Sequence, residues 1–286
     1  MSLAAAISIS SEIAAQDKDY QVDSLAFVNA SWVKTEMSKG AEAMYAKLHM
    51  FNSQQSISVV RYPAKEFITE MLHRPGKTSD IPSEIGEELG ATFVINGGYF
   101  HVKERIPSVF FRVGKKIHGF THPSELYRID GIIGFRDKKG RKMQIVHCPD
   151  TLHYIKESRK MKSVLASGPH LISDGKIIVP EMMGDKDEKT KFYNTRHPRT
   201  AIGSDDSGNI YLLVIDGRSK GQADGASVFE TAYICHLLGM TNAINLDGGG
   251  SSALWTKTNG VMSHPTDNRK FDHNGERPVP NLIVVY

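Results

Sequence analysis

From Ala91 onward the chain alternates short β-branched or aromatic runs with turn signals: ATFVI, SVFFRV, GIIGF, MQIVH, SVLAS, HLI and KIIV. Such runs between Gly, Asp, Asn and Ser clusters predict strands. DKKG (Asp137 to Gly140), SDG (Ser173 to Gly175) and DDSGN (Asp205 to Asn209) predict hairpin-type turns. Two further strands are ISVVRYP, closed by Pro63, and the C-terminal NLIVVY, apolar enough for a buried place in a sheet. Helical spacing occurs in three places. Met37 to Leu48 puts Ala41, Met44 and Leu48 on one face, and SEIGEEL reads as a short helix with Ser83 as N-cap. In the third, about 226–238, Val228, Ala232, Cys235 and Leu238 share a face and Gly239 stops the helix.

Antiparallel hairpins outnumber β-α-β units, so the expected class is α+β, a largely antiparallel or mixed sheet flanked by helices. Residues 1–55 read as a helical N-terminal extension and 56–286 as one catalytic-type domain, with a charged surface loop at 181–195. No internal repeat or low-complexity linker divides the strand-rich part.

Composition narrows the class. The chain has 286 residues, 40% of them hydrophobic, which suffices for a sizeable core. Lys+Arg less Asp+Glu is 35 − 32 = +3, too balanced for a nucleic-acid partner. No apolar run approaches the roughly 18 residues of a membrane span. Cys148 and Cys235 offer one bridge at most, and Cys235 sits on a helical apolar face as a buried thiol would. MSLAAAISISSEIAAQ lacks the basic start and long apolar stretch of an export signal.

Candidate chemistry sits at strand ends beside glycine. In NAINLDGGGSSALW a strand ends in Asp247, followed by Gly248, Gly249, Gly250 and Ser251. Three glycines permit positive φ and close backbone approach to a ligand, and the carboxylate suits acid–base chemistry, sugar hydroxyls or a metal. The stretch lacks the spacing and Lys of a phosphate-binding Walker loop, and Ala253 stands where a nucleophile elbow needs glycine. FVINGGYF offers Asn96, Gly97 and Gly98 before two aromatics, suited to sugar edges and faces or, equally, to a β-bulge over core aromatics. TRHPRTAIG brings Arg196, His197, Arg199 and Thr200 together, and a guanidinium fork matches phosphate oxygens. VIDGRSKG adds Asp216 and Arg218. Glu230 divides evenly between a site role and the third helical position of a capping box begun by Ser227. ASGPHLI reads as a Gly-Pro turn, and His118 with His122 lacks a nearby third metal ligand. Together these ends suggest one polar cleft at the edge of a sheet.

NGGYF, SGPHLISDG, HPRTAIG, VIDGRSKG, the helix with Glu230, NAINLDGGGSS and ERPVPNLIVV occur in the order seen in the phosphodiester glycosidase family. The sequence resembles that family from about Phe93 to Tyr286. What the resemblance implies is hydrolysis of a sugar-1-phosphodiester at the glycosidic carbon, giving free sugar and a phosphomonoester. On that chemistry Asp247 is the first catalytic carboxylate, with Asp216 and Glu230 behind it. Arg199 is the first cation for the phosphate and Arg218 the second. Asn96 and Thr200 would hold hydroxyls or phosphate oxygens, with Gly97, Gly98, the 248–250 glycines and Ser251 lining the site. No cofactor is required, although Asp247 or Asp216 could take calcium. The expected substrate is a cell-envelope or exopolysaccharide phosphodiester, and the expected setting is outside the cytoplasm, with any export signal already removed; both are analogy.

Two other readings remain. One is a serine hydrolase using Ser251 with His197 or His264 as base. The other is a non-catalytic glycan-binding or envelope scaffold.

Overall fold

The computed structural model describes residues 20–74, 80–148, 150–180 and 187–286. Three antiparallel sheets carry the fold. The largest runs, edge to edge, through Val33–Glu36, Glu42–Met50, Ser53–Pro63, Asn209–Ile215, Arg199–Ser204, Asn242–Asn245, His170–Ser173 and Lys176–Ile177. A second holds Met143–His147, Gly131–Phe135, Ser163–Ser167, Phe111–Val113 and Lys116–Gly119. The third holds Gly260–Val261, Leu254–Thr256, Phe93–Asn96, Leu282–Val285 and Thr69–Leu72. The α+β expectation is met.

Side-chain alternation explains the layering. Along Ser53–Pro63, Ile57 and Val59 face one core while Val60 and Tyr62 face another. The first core is closed by helix Val228–Leu237 through Val228, Ala232, Ile234 and Cys235. The second lies between the large sheet and the two smaller ones, where Ile202, Leu212 and Ile244 meet Phe111, Ile132, Phe93 and Ile283. Ile283 and Val285 point into it, whereas Leu282 and Val284 join Ile85 and Trp255 under helix Pro82–Leu89. The all-apolar NLIVVY is thus buried on both faces, as its composition predicts.

Four local expectations are corrected. Glu42–Met50 is a strand, not a helix, pairing with Ser53–Pro63 from Glu42↔Arg61 to Met50↔Ser53. The described part of 1–55 is α-helical only over 20–28, with a single 3-10 turn at Ser38–Gly40, and the expected boundary at 55 cuts through that hairpin, so these residues are not a separate helical extension. Met44, Ala46, Leu48 and Met50 alternate into one core, and partnership with the neighbouring strand outweighs their helix propensity. Ser83 is not a cap. Ile81 occupies the cap position without a side-chain hydrogen bond, and Pro82 opens the helix with its fixed φ. Of the expected loop at 181–195, residues 181–186 lie outside the described residues, while Glu188–Asn194 is a helix capped by Asp187. Both cysteines are free and buried.

Candidate active site

The ends of strands Phe93–Asn96, Arg199–Ser204 and Asn242–Asn245 meet because each is stitched to the others just past its last ladder bond. Asn96 is fully buried: its Nδ2 donates to the Asp247 carbonyl at 2.7 Å, and its Oδ1 accepts from Thr200 Oγ1 at 3.0 Å and Ala253 N at 3.2 Å. Asp247 N donates to the Gly97 carbonyl at 3.1 Å, and Leu246 N to the Thr200 carbonyl at 2.8 Å. Asn96 and Thr200 therefore set the path of the Asp247 backbone from behind, rather than lining the cleft as expected. Gly97 and Gly98 are equally internal. A Cβ on Gly97 would collide with Asn281, and one on Gly98 would approach Leu165 to 2.7 Å.

Asp247 opens into a cleft of about 280 Å³ whose walls include Tyr99, Arg128, His197, Arg218 and Arg277. Burial pushes its carboxyl from 3.8 up to about 6, while the nearby Ser251 hydroxyl, Arg128 and Arg277 hold the rise down. Ser251 Oγ makes no hydrogen bond of good geometry, so its influence on Asp247 is one of proximity. The glycine run does the steric work expected of it, for a different neighbour. Gly249 has φ +64°, a Cβ there would lie 2.8 Å from the Arg218 guanidinium, and one on Gly250 would strike that of Arg277. A Cβ on Gly248 would sit 2.6 Å from the Pro198 carbonyl. Removing three side chains lets two guanidiniums close over the backbone.

The cations differ in availability. Arg199 is 2% exposed, its Nε donates to the Ala226 carbonyl, and one terminal nitrogen donates to the carbonyls of Phe192 and Thr195. Its guanidinium lies 4.8 Å over the Phe192 ring, and burial lowers it to about 10. It remains charged at neutral pH, but most of its reach is committed to backbone. Arg218 makes no ion pair among the described residues, and it holds a left-handed φ of 60° beside the glycines. Burial and Arg277 lower its pKa, while Asp247 and Asp267 oppose this. Arg277 pairs with Asp267, its Nε donating at 2.9 Å. Arg128 is held by Glu125, Nε to Oε2 at 2.7 Å, and stacks 4.0 Å above Tyr99. Arg218, second in the expected order for the phosphate cation, is thus freer to meet a ligand than Arg199, the first in that order. Sequence reading missed Arg128 and Arg277 as site residues. Arg277 stands in the ERPVPNLIVV segment already singled out, whereas Arg128 has no local signal.

Two expected carboxylates stand elsewhere. Asp216 is 1% exposed: its Oδ1 accepts from His264 N at 2.8 Å, and its Oδ2 accepts from Ser56 Oγ at 2.7 Å and lies 2.8 Å from His264 Nδ1. Both oxygens are engaged, and the residue clamps the segment after His264 to the strand end that precedes Arg218. Glu230 completes the capping box with Ser227, accepting from Ser227 N at 2.8 Å, and pairs with Arg196. It borders a larger cavity of about 430 Å³ with Arg196 and Phe229, apart from Asp247. The cap and the ion pair account for it. Among the described residues Ser251 Oγ pairs with neither His197 nor His264: His264 is committed to Asp216, and His197 is pushed down to about 4 by burial, Arg199 and Arg218.

In sum, the cleft places one carboxyl with a raised pKa among four guanidiniums, which suits an anionic substrate attacked beside its charge. No described helix is long and apolar enough to cross a membrane.

Comparison with known proteins places the fold and the family. N-acetylglucosamine-1-phosphodiester alpha-N-acetylglucosaminidase is 35% identical over 104 residues in both the Bos taurus and Homo sapiens proteins. Those alignments take in 34% of this chain, but only 19% and 20% of the relatives, so the chain spans about a fifth of their length. The zebrafish catalytic domain of that enzyme, auto-inhibited by its pro-peptide, superposes with TM-score 0.62 at 18% identity, covering 90% of this chain and 82% of that one. A hypothetical protein from Synechocystis superposes with TM-score 0.66 at 16% identity, covering 89% of this chain and 63% of that one. These likenesses show a shared fold that reaches well before residue 89, in keeping with an N-terminal hairpin inside the main sheet. The family model described as phosphodiester glycosidase matches residues 89–286, and the chain belongs to that family.

Proposed function

We propose that this chain hydrolyses the glycosidic bond of a sugar-1-phosphodiester, releasing free sugar and a phosphomonoester. The observation that carries the reading is the Asp247 carboxyl, raised to about 6, facing an Arg218–Arg277 pair across a glycine turn. The phosphate is the leaving group and needs charge stabilisation more than protonation. Arg218 and Arg277 would fork its free oxygens. Asp247, ionised, would take a proton from water as the water oxygen bonds to the anomeric carbon; the C–O bond breaks and its electron pair leaves on the phosphate oxygen. Phe192, at the cleft wall, offers an apolar ring for a sugar face.

The relatives' name makes N-acetylglucosamine the first sugar to try. Envelope or exopolysaccharide phosphodiesters remain the natural source, with the protein acting outside the cytoplasm. The test is reducing-sugar release from a panel of sugar-1-phosphodiesters, including UDP-N-acetylglucosamine and a simple methyl phosphodiester, with Asp247→Asn in parallel. Release that Asp247→Asn lowers at least about tenfold, equivalent to roughly 1.4 kcal/mol, supports the reading. Release unchanged by the substitution removes Asp247 from the chemistry, and sugar binding without release by any member favours a glycan-binding scaffold.

A further inference from the structure

Behind the Asp247 cleft the arginine wall has a second side. Arg218 and Arg277 also line a cavity of about 340 Å³ completed by Ser219, Thr266, Asp267, Arg269 and Lys270. Four cations face one carboxylate there, and that carboxylate is already paired with Arg277. The Thr266 Oγ is buried at the wall without a hydrogen-bond partner. A buried hydroxyl without a partner is costly for folding alone, and it and the surplus of positive charge around the cavity are both satisfied by an anionic ligand with acceptor oxygens.

The segment is also held in place. Arg269 takes a left-handed φ of 58°, and Lys270 N donates to Asn268 Oδ1 at 3.0 Å. The chain leading into it is fixed by the two His264 bonds to Asp216 and by the His264–Phe271 stack, with ring centroids 3.9 Å apart. Asp216, read from sequence as a catalytic candidate, acts here as the anchor of a basic loop.

We propose that the leaving side of the substrate carries a second phosphate, which this cavity receives through Arg269, Lys270 and Thr266 while Arg218 and Arg277 bridge it to the scissile phosphodiester. The proposal rests on the hydrolase reading above for its orientation, with the sugar on the Asp247 side and the second anion beyond the arginines. Its shared chemistry fits either a pyrophosphate, as in a nucleoside diphosphate sugar, or the next phosphate of a sugar-phosphate polymer.

The experiment compares three N-acetylglucosamine-1-phosphodiesters: the methyl ester, the uridine diphosphate, and a glycerol ester carrying a terminal phosphate. The variant is the double substitution Arg269→Ala with Lys270→Ala, which leaves the Asp247 cleft untouched. The expected result is a KM for one or both of the two-phosphate substrates at least about tenfold higher in the variant, with the methyl ester unchanged; whichever of the two responds identifies the source. Equal effects on all three substrates, or no effect on any, overturn the second site. If no substrate turns over, the hydrolase reading fails separately, and calorimetry with glycerol 1,3-bisphosphate against glycerol 1-phosphate decides the cavity. Tighter binding of the bisphosphate, lost in the variant and weakened by salt, upholds it; equal affinities overturn it.

Discussion

Replacing Asp247 by asparagine keeps the shape of the side chain and removes its charge, so it separates the folding consequences of the site from its chemistry. The carboxyl is moved from 3.8 to about 6, mainly by burial. At roughly 1.4 kcal/mol per pH unit, the ionised folded protein then carries a penalty of about 3 kcal/mol. The sign follows from linkage. Between the two values the folded protein holds a proton that the unfolded chain has released, so stability falls as pH rises through that window, and above about 6 the penalty is complete. Asp247→Asn escapes it. The variant is expected to melt higher than the parent at about pH 7.5, by roughly 6 °C for a chain of this size. At about pH 4 most of that advantage disappears, because the parent carboxyl is then neutral. Turnover moves the other way: kcat/KM of the parent rises through about pH 6 as the base ionises and then levels, while the variant stays low throughout. Thermal denaturation at the two pH values and a pH–rate profile make the measurement. An equal melting difference at both pH values, or a variant less stable at neutral pH, refutes a carboxylate whose ionised form is disfavoured by desolvation in the cleft.

Three other outcomes distinguish the neighbours of Asp247. Arg218→Ala is expected to fold normally and lose at least about tenfold in kcat/KM, whereas Arg199→Ala strands three carbonyl acceptors and loses roughly 3 kcal/mol of stability in urea melts. Glu230→Ala removes the reciprocal half of the capping box and the Arg196 pair, costing about 1–2 kcal/mol in the same assay, with turnover per folded molecule unchanged. Gly250→Ala pushes Arg277 off its seat and is expected to raise KM for any phosphodiester more than it changes the melting temperature.

Local chemistry and local pattern were legible in the sequence: the turn at Asp205–Asn209, the capping box of Ser227 and Glu230, the helix ended by Gly239 and the doubly buried last strand all depend on residues near one another. Asp247 beside its glycines was likewise visible as a site candidate, since a carboxylate and three missing side chains adjoin in the chain. The strand Glu42–Met50 was not, although Met44, Ala46, Leu48 and Met50 alternate in their burial. Spacings of four fit both a helix face and a strand face, and only pairing with Ser53–Pro63 decides between them. Which polar residues face the cleft was decided by tertiary structure alone. Asn96 and Asp216 end strands as Asp247 does, yet packing turns the first behind the Asp247 backbone and locks the second onto His264. Arg128 and Arg277 lie far apart in sequence and reach the same cleft because sheets converge there, in a geometry to which no residue's immediate neighbours bear witness.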